Sequence, residues 1–156
     1  MIRIEIPGYG TLEFQYLVMD YNGTLAIDGH LIAGVAERLK QLANQLEIHV
    51  ITADTFGLAA VNLNDLPVQL KIISAAQQGR QKSQYIQKLG DEQTIAIGNG
   101  RNDRFMLTEA RLGIATIQTE GAATETVQAA NVVVNHITDA LDLLLHPLRL
   151  KATLRD

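Results

Sequence analysis

The apolar residues of this chain change period repeatedly, and this alternation constrains the fold more than any other feature of the sequence. Short apolar runs predict strands, and the segments between them carry apolar residues at helical spacing. The predicted strands cover residues 16–20, 48–52, 68–73, 94–97, 112–117 and 132–134, and the predicted helices cover 31–46, 57–63, 81–89, 104–110, 122–129 and 138–145. Strands that alternate with helices favour an α/β fold with a mostly parallel sheet and helices on both of its faces.

The two ends of the chain depart from this alternation. Residues 2–6 and 12–16 alternate apolar and polar positions around a Pro-Gly-Tyr-Gly segment, which predicts an N-terminal β-hairpin. The second strand of this hairpin is expected to continue into the strand that ends at Asp20. Residues 147–155 alternate apolar and basic positions. They predict a packing helix or an extended arm, in preference to a site for a specific partner.

The length and composition are typical of one globular domain. The chain has 156 residues, of which 47% are hydrophobic, so we expect a single domain over residues 1–156 with a core that needs no disulfides. The absence of Cys excludes thiol catalysis and zinc–thiolate sites and is compatible with a reducing compartment. The four His residues lack the close spacing of helix-borne metal ligands, so we expect them on the surface or in structural roles.

Charge and hydropathy exclude two classes of partner. The formal net charge is -4 and no block of like charge occurs, so we expect neither nucleic acid nor anionic lipid as a partner. No uncharged apolar stretch approaches the roughly 18 residues that a membrane-spanning helix needs, and no signal-type segment is recognisable. The sequence therefore predicts a cytoplasmic protein.

Polar side chains follow the predicted strands at points that would share one edge of the sheet. Asp20 closes the first strand after the run Tyr-Leu-Val-Met, and Thr52 ends the second. Lys82 opens a predicted helix, and the segment 98–103, Gly-Asn-Gly-Arg-Asn-Asp, follows a later strand. The carboxyl ends of parallel strands form the ligand-binding edge of open α/β sheets. We therefore expect these side chains to converge.

These residue types together suit phosphoryl transfer. Asp20 can attack phosphorus, Thr52 can donate its hydroxyl to a phosphate oxygen, and Lys82 can balance charge. Asn99 and Asp103 offer the oxygen ligands that Mg²⁺ prefers. A carboxylate approaches a phosphate dianion only when a cation and hydrogen-bond donors offset the repulsion, so the reaction needs such an ensemble.

Each candidate also has a structural alternative. Asp20 begins the segment Asp-Tyr-Asn-Gly, in which Asn and Gly favour a turn. Thr52 could cap the turn that follows its strand, and Lys82 could be an exposed lysine at the start of a helix. Asp103 could be the N-cap of the helix predicted from residue 104. The occurrence of all the candidates in one chain favours the functional interpretation.

The four motifs, in their order and spacing, resemble those of the haloacid dehalogenase (HAD) superfamily of phosphatases and phosphotransferases. They are the segment Asp-Tyr-Asn-Gly-Thr-Leu from Asp20, then Thr52, Lys82 and the segment 98–103. Residues 50–54 and 98–103 are most similar to the T-G-D and G-D-G-x-N-D elements of the phosphorylation domain of P-type ATPases. The best match is the group of soluble, stand-alone proteins that resemble that domain.

The resemblance implies a Rossmann-like sheet, an aspartyl-phosphate intermediate and Mg²⁺ as cofactor. Asp20 resembles the nucleophile and a metal ligand, and Asn22 would supply its backbone carbonyl to the metal. The remaining motif residues match phosphate-binding positions (Thr52 and Lys82) and metal-binding positions (Asn99 and Asp103).

At two positions the chain departs from the family pattern, and both changes remove an acid. Asn22 stands where most phosphatases of the superfamily have an Asp that acts as general acid and then base, a contribution of about 10² to 10⁴ in rate or roughly 3 to 5 kcal/mol. P-type ATPases have Thr there and form a comparatively persistent aspartyl-phosphate, so slow hydrolysis is expected. Asn99 replaces an Asp of the metal motif, so the affinity for Mg²⁺ should fall. Asp20 and Asp103 are then the only carboxylates in the four motifs.

No cap domain fits between the motifs. The connections over residues 21–51 and 53–81 are filled by predicted core elements, whereas family members that act on small metabolites commonly insert a cap there. An open site favours a bulky phosphorylated substrate such as a phosphoprotein, or a cap contributed by the neighbouring subunit of a homo-oligomer.

Three functions are compatible with these motifs. The favoured one is a Mg²⁺-dependent phosphatase or phosphotransferase that works through a phosphoryl group on Asp20 and is slow because of Asn22. The alternative is a non-enzymatic regulatory or binding protein that keeps a phosphate or Mg²⁺ site, as Asn22 and Asn99 suggest. A generic nucleotide binder that uses residues 98–100 is disfavoured because the segment lacks the Lys-Ser/Thr of a P-loop.

Overall fold

Six parallel strands form the central sheet of the computed structural model, which describes residues 1–156. The strands are β1 (Ile2–Ile6), β2 (Gly10–Phe14), β3 (Tyr16–Asp20), β4 (Ala26–Ile27), β5 (His30–Leu31), β6 (Glu47–Thr52), β7 (Gln69–Ile72), β8 (Thr94–Gly98), β9 (Leu112–Thr116) and β10 (Val132–Val134). The helices are α1 (Val35–Leu42), α2 (Leu58–Leu63), α3 (Gln78–Leu89), α4 (Arg104–Glu109), α5 (Thr124–Ala129), α6 (Ile137–Leu145) and α7 (Pro147–Leu154), with 3₁₀ turns at Asp91–Gln93 and Arg101–Asp103. The order across the sheet is β10-β9-β8-β3-β6-β7. The predicted α/β fold with a mostly parallel sheet is confirmed.

The middle strands are apolar on both faces because helices cover both sides of the sheet. In β3, Leu17 and Met19 belong to the larger hydrophobic core, and Val18 belongs to the smaller one. The larger core also contains buried residues of α1, α2, α6 and α7, and the smaller core contains those of α3 and α4. Because successive side chains of a strand point to opposite faces, one continuous apolar run serves both cores.

The N-terminal hairpin forms a sheet of its own. Strands β1 and β2 pair antiparallel, and their apolar side chains are buried in the larger core. The expected continuation of β2 into β3 is wrong because Gln15 interrupts the strand. The Gln15 N–H donates to the carbonyl of Gln93, and its carbonyl accepts from the N–H of Glu47. These bonds connect the hairpin to the beginnings of the neighbouring parallel strands.

The helix predicted over residues 31–46 is shorter than expected. A second small hairpin, β4 and β5, ends at Leu31, where the helix was predicted to begin, and α1 begins only at Val35. Asp28 and Gly29 form the hairpin turn with φ values of 51° and 77°, the left-handed angles that a two-residue type I′ turn requires. Gly34, with φ 84°, then separates the hairpin from α1. The connection from β3 to β6 contains only this hairpin and α1, and the connection from β6 to β7 contains only α2. Neither connection contains a cap domain.

The C-terminal segment is a packing helix, the first of its two predicted forms. Helix α7 contacts β1 and α6, and Leu150 is fully buried in the larger core. The N–H of Asp156 donates to the carbonyl of Pro7. None of the seven helices, α7 included, combines the length and the apolar character that crossing a membrane requires.

Candidate active site

Strands β3, β6 and β8 end side by side at one edge of the sheet, here called the carboxyl edge. Asp20 is the last residue of β3, Thr52 is the last of β6, and Asn99 follows the end of β8. Parallel pairing aligns these ends, since Asp20 is opposite Ile51 and Met19 is opposite Ile97. The sheet register therefore brings together the polar side chains that end the apolar runs.

Lys82 lies between two carboxylates at this edge. Its Nζ donates to Oδ1 of Asp20 and to Oδ1 of Asp103, at 2.7 Å in each case. All three side chains are buried. Helix α3 begins at Gln78, so Lys82 lies one turn inside it and is not an exposed lysine at a helix start. A buried charge persists when it is paired and hydrogen-bonded, and here one cation serves two anions.

Asp103 is held by the loop that follows β8. Its Oδ2 accepts the backbone N–H groups of Asn99 at 3.0 Å and Gly100 at 2.9 Å. A Cβ at Gly98 would lie 2.5 Å from Cγ of Asp103, so the strand must end in glycine for the carboxylate to fit. The Asp103 side chain makes no capping hydrogen bond to α4. It therefore faces back towards β8 and Lys82, where its negative charge bears on Asp20.

The surroundings of the Asp20 carboxyl disfavour its ionised form. Burial, followed by repulsion from Asp103, raises its pKa from 3.8 to about 7, although Lys82 acts in the opposite direction. Burial alone would lower the pKa of Lys82, but attraction to the two carboxylates outweighs it and raises that pKa above its ordinary value. No side chain donates to Oδ2 of Asp20, whereas a backbone hydrogen bond from Tyr21 helps to lower the pKa of this carboxyl. Asp20 thus keeps one oxygen without a side-chain partner.

Thr52 is buried at the end of β6, and its hydroxyl oxygen accepts the N–H of Asp54 at 3.2 Å. The Asp54 carboxylate in turn accepts the N–H groups of Ala59 and Ala60, at 2.9 and 3.3 Å, at the start of α2. Thr52 therefore supports the turn, as its structural alternative predicted. Its hydroxyl donates to no protein group, so its proton is available to a ligand.

Asn22 and Asn99 occupy different surroundings. The Asn22 side chain is exposed and makes no hydrogen bond within the protein, and its backbone carbonyl accepts none. The Asn99 side chain is buried, with Oδ1 accepting from the Thr24 hydroxyl and Nδ2 donating to the carbonyl of Gly121, at 3.1 Å each. Asn22 is thus free to meet a ligand, whereas Asn99 braces two loops.

Three residues of this edge were missed by the sequence reasoning. Gln118 donates to the carbonyls of Gly23 and Thr24, at 3.0 and 2.9 Å, and so fixes the loop after Asp20. Glu120 crowds the same loop, since a Cβ at Gly23 would lie 2.6 Å from its Oε2. Gln118 follows the end of β9, so the strand-end argument would have found it, had it been extended one strand further. Thr24 and Glu120 carry no such signal.

The oxygen atoms at this edge match the ligand preference of Mg²⁺, although they are few. The carboxylate of Asp20 and the backbone carbonyl of Asn22 are hard oxygen donors. Asp103 is already hydrogen-bonded through both oxygens, and no group of three His, Asp or Glu side chains that could hold a metal occurs in the structure. A Mg²⁺ ion would therefore complete its coordination with water and substrate oxygens, as this ion commonly does.

The architecture is that of the HAD fold. A cobalt-bound deoxy-D-mannose-octulosonate 8-phosphate phosphatase from Haemophilus influenzae is similar, with a TM-score of 0.72 and 13% identity over 92% of this chain and 94% of that one. The 3-deoxy-D-manno-octulosonate 8-phosphate phosphatase of Moraxella catarrhalis, in complex with magnesium, phosphate and KDO, has a TM-score of 0.66 and 17% identity over 85% and 86% of the two chains. An apo phosphoserine phosphatase has a TM-score of 0.68 and 14% identity over 86% and 99%.

Comparison of sequences identifies relatives of higher identity over part of the chain. No family model matches the chain. A stretch of 66 residues, 42% of this chain and 71% of its counterpart, is 53% identical to the uncharacterized protein MJ0073 of Methanocaldococcus jannaschii. A stretch of 42 residues, 27% of this chain and 96% of its counterpart, is 46% identical to the uncharacterized protein MJ0072 of the same organism. The chain belongs to the same family as MJ0073.

Proposed function

We propose that this protein is a HAD-type phosphatase of the capless, P-type ATPase-like kind, which hydrolyses phosphomonoesters through a phosphoryl group carried on Asp20. One observation carries the proposal. Lys82 is buried between Asp20 and Asp103 at 2.7 Å from each, and no side chain donates to the second carboxylate oxygen of Asp20. A buried lysine that holds two carboxylates, one of which keeps an oxygen without a side-chain partner, suits nucleophilic attack on phosphorus better than it suits fold stability.

In the first step, Oδ2 of Asp20 attacks the phosphorus atom and the bond to the leaving oxygen breaks. Lys82 favours the ionised form of Asp20 and offsets its repulsion from the phosphate, and the Thr52 hydroxyl donates to a phosphate oxygen. The Asp20 carboxylate and the Asn22 carbonyl would hold Mg²⁺, which when bound supplies positive charge to the phosphate oxygens. The departing oxygen takes its proton from solvent, since no side-chain acid adjoins it in the motif.

In the second step, water attacks the phosphoryl group on Asp20 and regenerates the carboxylate. An Asp at position 22 would take a proton from this water, whereas the Asn22 amide can only orient it. Without this base, hydrolysis of the phosphoryl group should be slower by a factor of about 10² to 10⁴, so the phosphorylated protein should be long-lived. Turnover is therefore expected to be limited by hydrolysis of the acyl phosphate.

A small phosphomonoester is the better substrate class. The similar solved structures carry the names of enzymes for small phosphorylated molecules, a sugar acid phosphate and phosphoserine, which gives no support to the phosphoprotein expected from the open site. The small hairpin β4–β5 stands beside the carboxyl edge, where Tyr21 donates its hydroxyl to the carbonyl of Gly29 at 3.1 Å.

The test is a phosphatase assay on three proteins with and without Mg²⁺. Wild type should release phosphate from general phosphomonoesters only with Mg²⁺, and Asp20→Asn should lose about 10³-fold or more because the nucleophile is gone. Asp65→Asn is the matched control, an exposed carboxylate in the connection that leads into β7 at the opposite edge. Beryllium fluoride, a mimic of the phosphoryl group, should bind wild type and Asp65→Asn but not Asp20→Asn. Full activity of Asp20→Asn would refute the proposal.

A second candidate is a regulatory or binding protein that keeps the fold without turnover. The observation that favours it is Asn99, whose amide braces Thr24 and Gly121 and carries no charge. In that case Asp20→Asn would leave the biological phenotype intact in a folded protein. Loss of the phenotype together with loss of phosphatase activity would reject this candidate.

A further inference from the structure

A cavity of about 580 Å³ opens between the first turn of α3 and the turn that begins α4. Seven residues line it: Gln77, Gly79, Arg80, Arg101, Asn102, Arg104 and Phe105. Only one of them is apolar, and three are arginines. We call this cavity the arginine pocket.

Positive charge predominates in the arginine pocket. Arg101 forms an ion pair with Glu125 at 3.0 Å, whereas Arg80 forms no ion pair. Arg104 donates to the carbonyl of Arg101 at 2.6 Å, and its guanidinium lies 3.9 Å from the centre of the Phe105 ring. Three of the residues that line the pocket carry guanidinium groups, and none carries a carboxylate. Such a concentration of arginine suits the binding of an anion.

The same two segments carry the charged groups of the candidate active site. Arg80 precedes Lys82 by two residues on α3, and Arg101 and Arg104 flank Asp103. The two walls are joined by a hydrogen bond from Asn102 Nδ2 to Gln78 Oε1 at 2.8 Å. Gln78 lies one helical turn, about 5 Å, before Lys82. The arginine pocket therefore adjoins the two segments that carry Lys82 and Asp103, although neither of these residues lines it.

Phe105 gives the pocket a defined shape. Its ring is 45% exposed, and a Cβ at Gly79 would lie 3.1 Å from its Cδ2, so glycine leaves the ring room against α3. Stacking on Phe105 orders Arg104, which reduces the entropy lost when that arginine binds an anion. An ordered arginine, an unpaired one and an aromatic ring make a site for a specific anionic group.

We propose that the arginine pocket binds a second anionic group of the substrate, so that the substrates are small phosphomonoesters that also carry a carboxylate or a second phosphate. This inference rests on the proposed function and narrows its substrate class. The planar guanidinium groups of Arg80 and Arg104 would pair with the second anion in the bidentate geometry that carboxylates and phosphates share. The reacting phosphate would remain with Asp20, Lys82 and Thr52.

Two matched probes test the proposal. 3-Phosphoglycerate and glycerol 3-phosphate have the same phosphate and differ at the far carbon, which is a carboxylate in one and a hydroxymethyl group in the other. Wild type should have a kcat/KM about tenfold higher for 3-phosphoglycerate, because charge-assisted hydrogen bonds to arginine are worth that much. Arg80→Gln and Arg104→Gln should each bring the ratio of the two kcat/KM values towards one, mainly through KM for the carboxylate substrate.

Arg3→Gln is the control, because Arg3 lies on the hairpin and its ion pair with Glu13 is exposed. It should keep the wild-type ratio, and thermal melts should show that all three variants are folded. A wild-type ratio near one, or a ratio that both pocket variants leave unchanged, would overturn the proposal.

Failure of the phosphatase proposal would be distinguishable from failure of the pocket. If wild type hydrolyses neither probe, calorimetry measures their binding directly. Tighter binding of 3-phosphoglycerate than of glycerol 3-phosphate, with the difference lost in Arg80→Gln, would support the pocket in the absence of catalysis. Equal binding of both probes would overturn it.

Discussion

The protein contains two groups of opposite charges, one at the carboxyl edge and one between α1 and α6. In both groups a basic side chain is paired with Asp carboxylates, but the balance of charge differs. Arg38 and Asp142 form a bidentate pair, with Nε to Oδ1 at 2.8 Å and Nη2 to Oδ2 at 3.0 Å, and the charges balance one to one. Lys82 faces two buried carboxylates, so the carboxyl edge holds a surplus of negative charge. The balanced pair needs no ligand, whereas the unbalanced cluster is suited to a cation and to chemistry.

The pKa values of Asp142 and Asp20 are shifted in opposite directions, in agreement with this difference. Hydrogen bonding to Arg38 holds the pKa of Asp142 below its ordinary value. Burial and repulsion from Asp103 raise the pKa of Asp20 to about 7. A carboxylate that stabilises the fold has a lowered pKa, and one kept for reaction at a cost in stability has a raised one.

The largest effect is expected when a further acid is added to the cluster. Asn22→Asp should raise the hydrolysis rate by about 10² to 10⁴, because an acid–base group then adjoins the water that attacks Asp20-phosphate. The measurement is steady-state phosphate release with Mg²⁺, supported by the lifetime of the phosphorylated protein. Asn44→Asp, at an exposed position after α1, is the control and should change neither. An unchanged lifetime of the phosphorylated protein would mean that Asn22 does not limit turnover.

Removing the cation of the cluster should cost the most stability. Lys82→Met keeps the side-chain volume but leaves Asp20 and Asp103 buried without a partner, which should lower the free energy of unfolding by about 3 to 5 kcal/mol. Urea denaturation at neutral pH measures the loss. Lys88→Met, an exposed lysine on the same helix, should change the unfolding free energy by less than about 0.5 kcal/mol. Equal effects of the two substitutions would contradict the role of Lys82 as the shared counter-ion.

Removing one anion should have the opposite sign. Asp20→Asn relieves the repulsion from Asp103 and should stabilise the fold by about 1 to 3 kcal/mol at pH 7 and above. Because the pKa of Asp20 is about 7 in the folded protein and its ordinary value is 3.8, wild type loses this stability as pH rises between those values. The gain in the variant should therefore be small near pH 4 and grow towards pH 7. Denaturation in EDTA at a series of pH values tests this, and a gain that does not vary with pH would contradict it.

The smallest effect on stability is expected from a substitution in the Arg38–Asp142 pair. Asp142→Asn should lower the unfolding free energy by about 0.5 kcal/mol, as is usual for a solvent-accessible ion pair. The pKa of Asp142 is lowered in the folded protein, so its contribution is present at neutral pH and is lost as pH falls through the acid range. The same denaturation series should then show opposite pH trends for the Asp142 and Asp20 variants. Parallel trends would remove the distinction between the two sites.

The sequence predicted the carboxyl edge well because apolar runs end there in polar residues. The strand ends at Asp20 and Thr52 and the start of α4 agree with the structure, since the buried central strands have an unmistakable apolar pattern. The hairpin β4–β5 was not predicted, because strands of two residues are too short for any period. Its Asp28–Gly29 turn was the only local signal, and the helix was predicted to begin two residues after it, at residue 31.

Other features depend on contacts between distant segments. The bracing of Asn99 by Thr24 and Gly121 joins three loops, so no single stretch of sequence indicates it. The arginine pocket likewise forms only where α3 packs against α4, and its arginines are scattered between residues 80 and 104. Sequence patterns indicate which residues are buried or exposed, but they do not indicate which exposed residues become neighbours.

The contact between the C-terminal helix and the N-terminal hairpin affects the order of assembly during synthesis. The apolar side chains of β1 leave the ribosome before α7, which packs against them. At ordinary elongation rates roughly 7 to 30 seconds separate the two events. During this interval the apolar face of the hairpin lacks the cover that α7 later gives it.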